Sequence, residues 1–273
     1  MSNTDGPMLV AEAMGLGELG LNQPRPTRTD VCEKHGEFES RHLFRTIWAS
    51  CGSCEEERKA EEERERNAEK ERQEQRAFEN AVRCAGIPAR FTDRTIGSFD
   101  AVSEAQKAVR LFAENLADEL VVKKRTGRCA VFVGKPGTGK THLAVGIGMH
   151  VLRANRSVVF TTVTRLIRRI RDTYNKSNDE TEFDAVSVFT DPYLLILDEV
   201  GVQRGTDDEK LLLFDVLNDR YENRLRTILL SNLPAKELRG YLGDRVFDRL
   251  KEDGGQVVVF DWESRRGQIG GVE

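Results

Sequence analysis

The stretch Gly134-Lys135-Pro136-Gly137-Thr138-Gly139-Lys140-Thr141 constrains this chain more than any other. It fits G-x-x-x-x-G-K-[ST] throughout, with the apolar run CAVFVG before it and the helical pattern THLAVGIGMHVL after it. Its glycines let successive backbone N–H groups turn inward around phosphate oxygens at a helix N-terminus. Residues 134–141, with His142 next to them, are the candidate binding segment for ATP or ADP. Lys140 is expected to reach the β- and γ-phosphates, and Thr141 to place its hydroxyl on Mg²⁺.

Such a loop needs a sheet to carry it. Beyond residue 85, apolar runs recur at CAVFVG (129–134), SVVFTTV (157–163), YLLILD (193–198), RTILLSN (226–232) and QVVVFD (256–261). Amphipathic segments separate them, which predicts an α/β domain whose parallel sheet is covered on both faces. YLLILD ends in Asp198-Glu199. Asp198 is expected to hold the magnesium through water, and Glu199 to orient and deprotonate an attacking water, as hydrolysis requires. The plainer alternative is an acidic pair capping the turn. Asn232, at the end of RTILLSN, is either a turn residue or an amide that positions the same water.

Arg245 and Arg249 stand i, i+4 on one helical face of GDRVFDRLKEDGG. They form surface ion pairs of little worth, or one of them neutralises charge on a neighbour's nucleotide. Arg265 and Arg266 in FDWESRRGQI could fold back onto the phosphates in cis. Seven residues follow Arg266, too few for a helical lid.

A formal net charge of −4 gives no global basic field, so DNA contact would need a local patch. Arg165, Arg168, Arg169 and Arg171 in TRLIRRIRDTY offer one, facing away from Leu166 and Ile170; a solvated helix face is the alternative. No 18-residue apolar run exists, which excludes a helical membrane span. The N-terminus lacks the basic region of a secretory signal, and five cysteines in such a chain read as reduced thiols or metal ligands. A cytoplasmic protein is expected.

The front end carries a separate signal. Cys32, His35, Cys51 and Cys54 form C-x2-H and C-x2-C halves fifteen residues apart, in the range of two-knuckle Zn²⁺ sites. His42 could replace His35 as the fourth ligand. Phe38, Phe44, Ile47 and Trp48 are expected to give a minimal apolar cluster. Cys84 and Cys129 read as ordinary thiols. From Glu55 to Arg76 ten residues are acidic and seven basic, with alanine as the sole apolar type, which predicts an exposed helix without a coiled-coil seam. Gly86-Ile87-Pro88 ends it. The expected organisation is an arm over residues 1–29, with one short helix near Leu9 to Leu19, a zinc module over 30–56, a charged helix over 57–84 and an ATPase domain over 85–273.

With GKPGTGKTHLA, LLILDEVGVQ, LLSN, GDRVFDRL and FDWESRR in order, roughly residues 85 to 270 resemble the DnaC-type helicase loaders of bacteria and phages, within the AAA+ ATPases. DEVGVQ, GDRVFDRL and FDWESRR are more particular to loaders and the IstB-type transposition helpers. The resemblance implies a five-stranded sheet in the AAA+ order without a C-terminal lid. It implies that Asn232 is sensor 1, Arg249 the trans-acting arginine finger with Arg245 as its basic companion, and Arg266 sensor 2. It further implies a hexameric replicative helicase as partner, single-stranded DNA as ligand, and self-association in a nucleotide-dependent spiral. Two other readings are a transposition helper acting on duplex DNA, and a zinc-and-helix binding module that the nucleotide merely switches. Helicase-contact residues do not transfer, because the front end is the variable part of such loaders.

Overall fold

The computed structural model describes residues 26–122, 127–175, 179–202 and 206–264. The short helix expected near Leu9 to Leu19 lies outside them, as do Arg265 and Arg266. Two compact units emerge, Met1–Gln73 and Glu74–Glu273.

In the first unit, β1 (Thr27–Cys32), β2 (Gly36–Phe44) and β3 (Ile47–Trp48) form an antiparallel sheet in that order. Cys32 pairs with Gly36 across the first hairpin, and Gly36 has φ +80°, a conformation that glycine adopts without a Cβ penalty. Pairing thus starts at Thr27, inside the stretch expected to be an arm. Phe44 and Ile47 are exposed, so the anticipated apolar cluster does not close among the described residues; a single three-stranded layer does not by itself bury them. Helix α1 (Gly52–Cys84) begins within the C-x2-C rather than at residue 57. Its exposed acid–base pairs include Glu55–Lys59 at 2.8 Å.

The last turns of α1 differ in character. Phe78, Ala81 and Val82 recur at helical spacing and pack into the core of the second unit, so that unit starts before residue 85. Ala85 accepts a backbone bond from Phe160 at 2.7 Å on the edge strand β5 (Val158–Thr162).

The second unit is built on β4 (Ala130–Gly134), β5, β6 (Leu194–Asp198), β7 (Arg226–Ser231) and β8 (Gln256–Phe260). They run parallel in the order β5-β6-β7-β4-β8, a five-stranded sheet as the resemblance implies. Side chains alternate between two cores, as the period of 2 demands. Ala130, Phe132, Leu194, Ile196, Ile228 and Leu230 face α2 (Glu104–Val122) and α3 (Lys140–Arg153). Val131, Val133, Leu195, Leu197 and Leu229 face α4 (Val163–Asp172), α5 (Glu182–Thr190), α6 (Asp207–Glu222), α7 (Ala235–Leu242) and α8 (Asp244–Lys251). Each buried aliphatic or phenyl side chain contributes roughly 1.5–3 kcal/mol.

Arg220 is a cation buried in this apolar setting. Arg220 donates to the carbonyls of Phe189, Pro192 and Arg226 and to the Thr227 hydroxyl, at 2.5–3.0 Å, which ties α6 to two strand starts. Burial lowers its pKa to about 10. Among the described residues no helix is long and apolar enough to cross a membrane.

Candidate functional site: a phosphate cradle and a Cys/His cluster

Strand order reverses at β4, which lies between β7 and β8, and open α/β sheets bind ligands at the carboxyl ends beside such a point. The tips of β6, β7 and β4 therefore bring together the segments that the sequence marks. The loop after β4 turns through Gly134, Gly137 and Gly139, with φ of +146°, +82° and +97°. A Cβ on Gly134 would approach the Phe260 carbonyl to 2.3 Å, and one on Gly139 the Phe99 ring to 2.5 Å. Only glycine fits at either place. Thr138 closes the turn by donating its hydroxyl to the Lys135 carbonyl at 2.9 Å. Lys140 is buried, and its ammonium donates to the carbonyls of Gly134 and Lys135 at 2.6 and 2.8 Å. It thereby stays within the loop, where phosphate oxygens could replace those carbonyls as acceptors.

Thr141, on the first turn of α3, donates its hydroxyl to Asp198 Oδ2 at 3.0 Å, across 57 residues of sequence. The backbone N–H of Glu199 donates to Asp198 Oδ1 at 2.7 Å. Glu199 has φ +61°, rare for a residue with a Cβ, and its side chain is exposed at the strand tip. The turn is tied to β7: Val200 donates to the Leu230 carbonyl, and the Ser231 hydroxyl to the Val200 carbonyl at 2.6 Å. Asn232 follows at the end of β7, exposed. A hydroxyl and a carboxylate in contact, with a second carboxylate one residue on, suit a hard divalent cation and a neighbouring water.

The other expected residues lie elsewhere. His142 is turned to the segment before α2, its Nε2 lying 3.0 Å from the Thr95 carbonyl and 3.1 Å from the Ser98 hydroxyl. Its ring meets Phe99 edge-on, and burial lowers its pKa. Arg249 donates to the Asn218 side-chain carbonyl, and its guanidinium lies 4.6 Å from the Tyr221 ring centroid. The small cavity beside it is lined by Cys129 and Thr227, at the amino ends of β4 and β7. The loop leaves the carboxyl end of β4, so Arg249 is not brought to its own chain's cradle. Arg245 is exposed. On α4, Leu166 and Ile170 are buried while Arg165, Arg168, Arg169 and Arg171 are exposed. Arg169 pairs with Glu180, and Arg171 with Glu209 at 3.7 Å.

In the first unit, single ligand atoms of Cys32, His35, Cys51 and Cys54 lie within 4.8 Å of one another. His35 Nδ1 is 3.7, 3.7 and 3.3 Å from the sulfurs of Cys32, Cys51 and Cys54, and the Cys32 and Cys54 sulfurs are 3.4 Å apart. Bonds of about 2.0–2.3 Å from one tetrahedral centre give such separations, so the donors fit Zn²⁺. Backbone N–H groups of Lys34 and His35 lower the Cys32 thiol to about 6, while contact with Cys32 and burial push Cys54 up to about 11. A divalent ion would hold both as thiolates. His42 instead bonds the Arg45 carbonyl at 2.5 Å and meets Trp48 edge-on, which removes it as the alternative ligand.

Two partners had escaped the sequence reading. Glu57 holds His35 Nε2 at 3.0 Å, fixing which nitrogen faces the sulfurs. Trp262 donates its indole N–H to the Thr138 carbonyl at 3.0 Å. Glu57 is one acid among ten in its run, and Trp262 meets a backbone atom, so neither carries a spacing signal.

The family model described as IstB-like ATP binding protein matches residues 60–267. The Escherichia coli (strain K12) protein named Uncharacterized protein YdaV is 29% identical over 247 residues, 88% of this chain and 94% of its own. Replicative helicase loader DnaC of the same strain is 32% identical over 177 residues, 65% of this chain and 67% of its own. The crystal structure of the DnaC helicase loader superposes with a TM-score of 0.56 at 22% identity, over 63% of this chain and 99% of that one. With the matched model spanning more than half of the chain, and the cradle, acidic strand tip and strand order in place, the chain belongs to the IstB/DnaC family of ATP-binding proteins.

Proposed function

We propose that the chain is an ATP-hydrolysing loader for a hexameric replicative helicase, acting on single-stranded DNA. The observation that carries the hydrolytic part is the Thr141–Asp198 contact with Glu199 beside it. In this reading a bound Mg²⁺ would supply positive charge against the phosphates. Thr141 and Asp198 hold it, Lys140 donates to the same phosphates, Glu199 accepts the proton of the attacking water, and Asn232 orients that water. Arg249 serves the nucleotide of a neighbouring copy, in a head-to-tail assembly that does not close. Its place at the amino edge of the sheet supports a role in trans over one in cis. Arg266, outside the described residues, completes the set in cis.

The helicase partnership rests on relatives named replicative helicase loader. The zinc module and α1 are the proposed helicase-binding part, with Zn²⁺ on Cys32, His35, Cys51 and Cys54. Exposed Arg165 and Arg168 supply the local charge that a net −4 chain needs for DNA. The test combines co-elution of the purified chain with its cognate hexameric helicase and single-strand binding with and without ATP. Helicase co-elution with ATP-dependent strand binding is expected. Failure of both, or ATPase activity stimulated by duplex length instead, would replace the loader with a transposition helper or a simple binding module.

A further inference from the structure

After β8 the chain crosses the phosphate cradle. Phe260 is buried with its ring 5.2 Å from Phe132, and Trp262 tilts against Phe260 at 5.1 Å. The indole is thus the outer member of an aromatic row rooted in the core. Its single donor reaches the carbonyl of Thr138, a residue 2% exposed in the middle of the loop. The adjoining Glu263–Lys135 pair, at 3.6 Å, is exposed and adds little.

The peptide bond between Thr138 and Gly139 is planar and trans, so its C=O and N–H point to opposite sides. Fixing the carbonyl on Trp262 therefore fixes the direction of the Gly139 N–H. Gly139 is the N-cap of α3, where N–H groups have no partner within the helix and attract anions. With φ +97° and no side chain, Gly139 could otherwise let this peptide plane rotate.

We propose that Trp262 is a positioning residue for the nucleotide: its indole N–H holds the 138–139 peptide plane so that the Gly139 N–H faces the phosphates. The inference rests on the ATP-binding reading of the cradle. A tryptophan that only fills space would do its work through the ring alone. Trp262→Phe separates the two roles, keeping an aromatic ring against Phe260 while removing the donor.

The chain has two tryptophans, Trp48 and Trp262. In a Trp48→Phe background, Trp262 becomes the sole indole, and saturating AMPPNP is expected to shift its emission, with no shift once Lys140→Ala is added. The Trp262→Phe variant, full length, is expected to bind mant-ADP three- to tenfold more weakly, about the worth of one neutral hydrogen bond. KM for ATP should rise with kcat unchanged, while the melting temperature of the nucleotide-free protein stays near that of the wild type. Wild-type mant-ADP affinity in Trp262→Phe, together with unmoved Trp262 emission at saturation, overturns the assignment. A wild-type chain that binds neither probe overturns the ATP-binding reading itself, and the role of Trp262 falls with it. If Trp262→Phe misfolds, the emission titration of the intact indole still decides.

Discussion

The Thr141 hydroxyl and the Asp198 carboxylate are hydrogen-bonded at 3.0 Å, joining the first turn of α3 to the tip of β6. This contact brings together the two side chains proposed to hold Mg²⁺. Removing either half should weaken the Mg²⁺-dependent step more than nucleotide binding itself. Thr141→Val and Asp198→Asn are expected to lower kcat ten- to a hundredfold, on the order of the 1.5–3 kcal/mol of a charge-assisted contact. Mant-ADP titration without Mg²⁺ should stay near wild type; an equal loss there would assign the pair to folding.

Glu199 stands one residue beyond, in a left-handed backbone conformation. Glu199→Gln keeps the shape and removes the proposed base. It should bind ATP normally, hydrolyse it at least a hundredfold more slowly, and accumulate the ATP-bound assembly on single-stranded DNA. Sedimentation with ATP checks this, and assembly unchanged from wild type would favour a nucleotide-switched binding module.

Arg249 is bound to Asn218 and stacked on Tyr221, at the sheet edge opposite the cradle. Arg249→Ala should lose ATP turnover while keeping ATP affinity. Mixed with Lys140→Ala, whose own cradle is disabled, it should recover part of the turnover, because each supplies what the other lacks. No recovery at any ratio would leave Arg249 as a structural contact of α6.

The proposed zinc site can be tested apart from nucleotide hydrolysis. One zinc per chain is expected, and Co²⁺ substitution should give the visible bands of a tetrahedral thiolate site. Cys51→Ser should abolish binding. Glu57→Gln, which weakens the hold on His35 Nε2, should lower metal affinity about 10–100-fold. Zinc removal should unravel β1–β3 and leave the melting of the second unit in place.

His142 gives a pH prediction. Burial lowers its folded pKa below 6.5, so below that value the unfolded chain binds more protons than the folded one. The groups facing it are the Thr95 carbonyl, the Ser98 hydroxyl and the Phe99 ring, with Arg94 and Asp93 acting at longer range in opposite directions. Stability should therefore be full at neutral pH and fall as pH drops through 6.5 toward the folded value. Urea unfolding at pH 7.5 and 5.5 should show a smaller acid loss in His142→Asn than in wild type.

What the sequence disclosed follows from how local each signal is. The cradle and all five parallel strands were legible because their determinants sit within runs of five to eight residues. C-x2-H and C-x2-C were legible because metal geometry fixes their spacing. The end of α1 at Cys84 was legible, but the packing of Phe78, Ala81, Val82 and Ala85 into the second unit was hidden by the charge run before them. Phe44 and Ile47 misled because apolar character alone does not supply a second layer. The Trp262–Thr138 bond crosses 124 residues to a backbone carbonyl, which no side-chain pattern encodes.

The most direct test is helicase loading on a closed circular single strand carrying an annealed oligonucleotide. With the cognate hexameric helicase and ATP, the wild-type chain should raise strand displacement well above helicase alone, and Lys140→Ala should not. Displacement that is the same with and without the wild-type chain would contradict the loader account.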